Sequence, residues 1–187
     1  MSWSDRLTMV RLTRLAATLA LAGTVAGCFQ PLYGDHPVVG GAGVRDKLAS
    51  VDIFPLNAPN GTPEARVAVE LRNDLIFGTT GGSGANSPTH QLRVNLTSQK
   101  QQVIVDITTA RTDVEQYGIN ASYTLVDMAT GKVVVRGQTF ARVSYDIPGQ
   151  EQRFARDRGL RDAENRAAKS ISDNITARLA SFFVAGT

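Results

Sequence analysis

A chain of 187 residues, 42% of them hydrophobic, has the size of one domain with a core of its own. Its single cysteine excludes an internal disulfide. The formal charge of +3 falls to +1 when residues 1–27 are set aside: they hold Arg6, Arg11 and Arg14 against Asp5, leaving 17 basic and 16 acidic residues, too even a balance to argue for nucleic acid.

The first 27 residues read as a lipoprotein signal. Arg6, Arg11 and Arg14 make a cationic start, with Met1 and Met9 both candidate first residues. Leu15 to Val25 is an apolar core, shorter than the roughly 20 residues a membrane span needs. Val25-Ala26-Gly27-Cys28 then fits a lipidation box, in which the Cys28 thiol takes a diacylglyceryl group and the chain is cut before it. Each buried methylene of an acyl chain is worth about 0.8 kcal/mol, and two or more chains anchor stably. An ordinary cleaved signal with an incidental cysteine, or a short membrane helix, is the alternative. Phe29 rather than Asp follows Cys28; an Asp there favours retention in the inner membrane, so the outer membrane is expected.

Residues 28–47 read as a lipidated flexible tether, with Pro31, Pro37 and the glycines at 34, 40, 41 and 43. A single domain is expected over 48–187. Val51, Ile53 and Phe54 make a short strand that Pro55 closes. Thr62-Pro63-Glu64 is a helix start: a hydroxyl cap, Pro at the first helical position, then an acid near the positive end. Val67, Leu71 and Leu75 follow at i+4 steps, and Gly78 is the expected stop. Residues 78–88, GTTGGSGANSP, lack the Lys-Ser or Lys-Thr of a phosphate-binding loop and read as a flexible connection.

Leu92, Val94 and Leu96 alternate with Arg93, Asn95 and Thr97, the pattern of a half-buried strand. Ser98 to Gln102 is a polar interruption, either a bulge or a turn, before an apolar run from Val103. Tyr117, Ile119, Ala121, Tyr123 and Leu125 point one way; Gly118, Asn120, Ser122 and Thr124 point the other. Asp127 to Lys132 is a hairpin connection with Gly131 at the left-handed position. Val133, Val135, Ala141, Val143 and Tyr145 are expected to share a face, opposite Arg136, Gln138, Phe140 and Arg142. Leu160, Ala163, Ala167, Ile171, Ile175, Leu179 and Phe182 form a helical stripe within 151–183. The predicted fold is α+β: two helices on one face of a mostly antiparallel four-stranded sheet, in the order strand-helix-strand-strand-strand-helix. The other sheet face stays polar.

Catalysis is not expected. The two histidines, His36 and His90, belong to no His-Glu-x-x-His or Cys-His pattern, and no cofactor or metal is implied. Binding is. The polar sheet face presents Arg93, Arg136 and Arg142, while Lys100, Arg111 and Lys132 lie near strand ends. Guanidinium forks match phosphate or carboxylate oxygens; the bland alternative is that these residues merely keep a sheet face wet.

The segment Gly27-Cys28-Phe29-Gln30-Pro31-Leu32-Tyr33-Gly34 resembles the mature start of the LPS-assembly lipoprotein family LptE. Leu71-Arg72-Asn73-Asp74-Leu75, Tyr123-Thr124-Leu125-Val126-Asp127 and Leu179-Ala180-Ser181-Phe182-Phe183 also fit, in the same order. One departure is that Phe29 follows Cys28 directly, where many relatives have an intervening Gly. The resemblance implies a plug inside the outer-membrane β-barrel LptD, which it helps to fold, and binding of lipopolysaccharide in transit to the outer leaflet. Barrel lumens are polar, which suits a wet sheet face. Arg93, Lys100, Arg111, Lys132, Arg136 and Arg142 are the candidate contacts to lipopolysaccharide or barrel. The other reading is an auxiliary outer-membrane lipoprotein of a phospholipid transport system.

Overall fold

The computed structural model describes residues 43–85, 87–106, 111–147 and 153–185. The expected signal 1–27, Cys28 and most of the expected tether lie outside the described residues.

The domain begins earlier than the sequence suggests. The tether was expected to run to Lys47, yet Val44–Ala49 form a helix, α1. Val44 and Leu48, one turn apart, are both buried in the core. Glycines and a proline nearby masked this apolar pair. Lys47 Nζ donates to the Phe183 carbonyl at 3.3 Å, placing a cation near the negative end of a distant helix.

Strand β1 is Val51–Ile53 and leads to helix α2, Pro63–Thr80. The Thr62 side chain accepts from the Ala65 amide, as an N-cap should. The helix does not stop at Gly78. It ends at Gly81, which takes φ +70° and donates its N–H to the Phe77 carbonyl. Gly78 instead marks a close helix–helix approach: a Cβ there would lie 3.3 Å from Thr176 Oγ1.

Strands β2, His90–Asp106, β3, Arg111–Asp127, and β4, Val133–Asp146, complete a four-stranded sheet in the order β1-β2-β3-β4. β1 runs parallel to β2, across the α2 crossover, and the remaining pairs are antiparallel. The polar interruption at 98–102 stays in the strand. The irregularity falls just after it, between Gln102 and Val105. The β3–β4 turn is built by Asp127, whose Oδ1 accepts from the amides of Ala129 and Thr130, with Gly131 at φ +67°. A second irregularity pairs Leu125 with Val135 but Val126 with Val133. That one-residue shift turns Val133 off the expected inner face, and it is 41% exposed.

Helix α3, Arg153–Ala185, lies on α2 and on β3 and β4. At about 1.5 Å per residue it is roughly 50 Å long, yet among the described residues no helix is apolar enough to cross a membrane. Its predicted stripe is the buried one: Ala163, Ala167, Ile171, Ile175 and Leu179 are fully buried, while Leu160 and Phe182 are partly so. Its outer side carries the ion pairs Arg166–Asp162 and Lys169–Asp173, each worth about 0.2–0.5 kcal/mol. The core is one layer between the helices and the sheet, and Tyr117, Ile119, Ala121, Tyr123 and Leu125 of β3 line its floor. The architecture is the α+β arrangement expected, with a third, short helix added. Among the described residues nothing covers the other face of the sheet.

Candidate functional site

The uncovered sheet face is built by strand alternation and register. From Arg93 to Gln99, Gly118 to Thr124 and Arg136 to Arg142, every second residue points away from the helices, and the pairing lines them into rungs. Arg93, Thr124 and Arg136 form one rung. Asn95, Ser122 and Gln138 form the next, then Thr97, Asn120 and Phe140, then Gln99, Gly118 and Arg142. Two adjoining hollows of about 340 and 320 Å³ lie along these rungs and share Asn95, Ser122 and Gln138. None of the residues lining either hollow is acidic, and two are arginines. The face is therefore a trough of amides and hydroxyls, with Arg93 and Arg136 at one end and Arg142 beyond Phe140 at the other.

The predicted site residues separate on this frame. Arg93 and Arg136 come together: they flank Thr124 two strand spacings apart, roughly 10 Å between backbones. Both are exposed. Arg93 is held by the Gln91 amide oxygen at 2.9 Å and by the Phe54 ring, whose centroid lies 5.5 Å from its guanidinium carbon. Lys132 ends the β3–β4 turn and is exposed, its carbonyl accepting from the Asp127 amide.

Three candidates are placed differently. Lys100 pairs with Tyr117, a core residue, so its strand position belongs to the helix side of the sheet. It lies close enough to Glu64 to help depress that acid. Arg142 is on the open face but is engaged with its own sheet. It donates to the carbonyls of Ile119 and Ala141, at 3.2 and 3.0 Å, and to the Asn120 side chain at 2.9 Å. Arg111 opens β3, and its side chain lies outside the described residues.

The fixed pose of Arg142 depends on Gly118. A Cβ at 118 would fall 2.9 Å from Arg142 Cδ, so only glycine lets the side chain lie across β3. Arg142 in turn sits beside Phe140, its guanidinium carbon 5.4 Å from the ring centroid. Phe140 is 68% exposed in the middle of a polar face. Sequence reasoning placed it on this side without giving it a role; the signal was an aromatic among polar residues on the outward phase of a strand.

A second polar cluster was not foreseen. Glu115 is 7% exposed at the helix side of β3. It accepts from the Tyr145 hydroxyl at 2.5 Å and from Arg156 at 3.1 Å. Burial, then the hydrogen bond to Glu115, pushes the Tyr145 hydroxyl far above the ordinary tyrosine value. This cluster ties the first turns of α3 to the sheet. Nearby in type but not in place, Arg66 of α2 pairs with the buried Glu164 of α3. His90, the one described histidine, is edge-on to Phe183 and hydrogen-bonded to the Thr89 hydroxyl at 2.8 Å.

No family model and no curated protein sequence matches the chain. Solved structures do. A candidate lipoprotein from Caulobacter crescentus CB15 superposes with a TM-score of 0.63 at 21% identity, covering 78% of this chain and 98% of that one. A minor lipoprotein from Acinetobacter baumannii reaches 0.53 at 13% identity, over 71% and 92%. The rare lipoprotein B from Shewanella oneidensis reaches 0.50 at 13% identity, over 72% and 96%. The fold is one that bacterial lipoproteins adopt.

Proposed function

We propose that the protein is a lipoprotein held to the outer membrane by acyl chains on Cys28, that its domain plugs and helps assemble an LptD-like β-barrel, and that the open sheet face meets lipopolysaccharide in transit. The observation that carries this reading is the open face itself. A three-strand polar trough, with no acidic residue lining its hollows and with Arg93 and Arg136 on one rung, is left uncovered by the described residues. A polar coat suits the wet interior of a barrel, and guanidinium forks suit phosphate or sugar-acid oxygens. Further support comes from the lipidation box ending at Cys28 and from the lipoprotein fold shared with the Caulobacter, Acinetobacter and Shewanella proteins. Lys132 and Arg136 are assigned as cargo contacts, and Arg142 as a brace within the face.

Affinity purification of the full chain from membranes tests the reading. Recovery of a large β-barrel partner is expected, and depletion of the chain leaves that barrel misassembled. Recovery of the periplasmic component of an ABC-type phospholipid transporter instead would replace the proposal with the other lipoprotein role.

A further inference from the structure

The open face has the chemistry of a saccharide platform, not only of an anion trap. A sugar ring presents a C–H face, which settles on aromatic rings, and an edge of adjacent hydroxyls. Those hydroxyls pair two at a time with amides and guanidiniums, each of which offers two neighbouring polar atoms. The trough supplies both parts. Phe140 is an exposed ring standing on the sheet, steadied by Arg142, which Gly118 lets lie flat and which three hydrogen bonds hold in place. Asn95 and Gln138 line the floor that joins the two hollows. The Arg93–Arg136 rung closes the end away from Phe140. Four residues of strand separate Arg136 from Phe140, about 14 Å at the usual rise, so the two ends are reached together only by a ligand longer than one sugar.

From this juxtaposition we infer that the open face binds an anionic oligosaccharide, with a sugar ring stacked on Phe140 and a phosphate or carboxylate between Arg93 and Arg136. Charge complementarity selects the occupant, since no lining residue is acidic. The inference rests on the reading that this face meets lipopolysaccharide, and specifies that the sugar and phosphate portion, rather than the acyl chains, is what it holds. Pre-positioned groups lose little freedom on binding, which favours recognition by a shallow surface.

The experiment uses the full chain purified in detergent and four probes: intact lipopolysaccharide, the same molecule with its acyl chains removed, that deacylated oligosaccharide after phosphatase treatment, and inorganic phosphate. The deacylated oligosaccharide is expected to bind and to compete with the intact molecule. Phe140→Ala is expected to weaken it about tenfold, and the Arg93→Gln, Arg136→Gln pair by more, with unfolding midpoints unchanged because all three side chains are exposed. Phosphatase treatment is expected to abolish the effect of the arginine pair where the bound anion is a phosphate and to leave that effect in place where it is a sugar carboxylate. Binding of intact lipopolysaccharide without the deacylated form would overturn the inference and leave the proposed function standing. Competition by inorganic phosphate as strong as by the oligosaccharide, or a Phe140→Ala variant that binds normally, would also overturn it. Failure of both intact and deacylated probes would remove the cargo reading as well.

Discussion

The ring of Tyr123 occupies the space that a Cβ on Gly137 would need. The two residues are paired across β3 and β4, on the helix side of the sheet. Glycine in mid-strand normally weakens a strand, because it adds chain entropy and packs nothing. Its φ here is ordinary, so space rather than backbone conformation demands it. Gly137→Ala is therefore expected to force the ring aside and to cost about 1–3 kcal/mol, the usual range for overpacking. Urea unfolding reads this directly. A variant as stable as the parent would mean that Tyr123 has another place to go.

Glu115, Tyr145 and Arg156 give an asymmetric prediction. Tyr145→Phe leaves a buried carboxylate oxygen without its donor, and such losses cost about 1–3 kcal/mol. Arg156 is half exposed, so its pair with Glu115 is screened by water and Arg156→Ala should cost about 1 kcal/mol or less. Denaturation of the two single variants and the double variant measures both costs and their coupling. The reverse order would show that the ion pair, not the phenol, holds α3 to the sheet.

Much of this fold was legible because period and burial agree. The alternation at 117–125 and the stripe from Ala163 to Leu179 each predicted a buried face, and those residues are the core. The rung of Arg93 and Arg136 was only half legible. Alternation assigned each to the outward phase, but the register that sets them on either side of Thr124 is a long-range property of strand pairing. Val133 was misplaced for the same reason, since a one-residue shift in pairing leaves no mark in a run of valines. Arg142 looked free because its partners are mostly backbone carbonyls, which every residue has. Gly78 looked like a helix stop because its real constraint, Thr176, lies almost a hundred residues away.

Helix α1 offers a test of where the domain starts. Leu48 is 2% exposed and belongs to the core, along with Val44. Leu48→Ala should cost about 2–5 kcal/mol, as large-to-small changes in cores do. Asp46→Ala on the exposed side of the same helix should cost about 0.5 kcal/mol or less. Equal, negligible effects in thermal unfolding would return residues 44–47 to the tether.

Acid titration separates two carboxylates of α2 by sign. The Ser98 hydroxyl, 2.6 Å from Glu64 Oε1, and the Glu64 backbone N–H hold the Glu64 carboxyl below its ordinary value of 4.5. A depressed carboxyl supports the fold above its unfolded pKa, and that support is lost as pH falls through the folded one. Glu64→Gln should therefore be less stable than the parent at neutral pH, with the gap closing as pH drops below 4.5. Asp74 is the opposite case. Burial, reinforced by Glu70, raises its carboxyl above 3.8. A raised carboxyl supports the fold fully below its unfolded pKa and loses that support as pH rises through the folded one. Asp74→Asn should then be more stable than the parent at neutral pH, with the advantage vanishing below pH 3.8. Urea midpoints of the three proteins across the acid range decide both signs, and a gap of the same sign in both variants would contradict the assignment of burial to Asp74 and hydrogen bonding to Glu64.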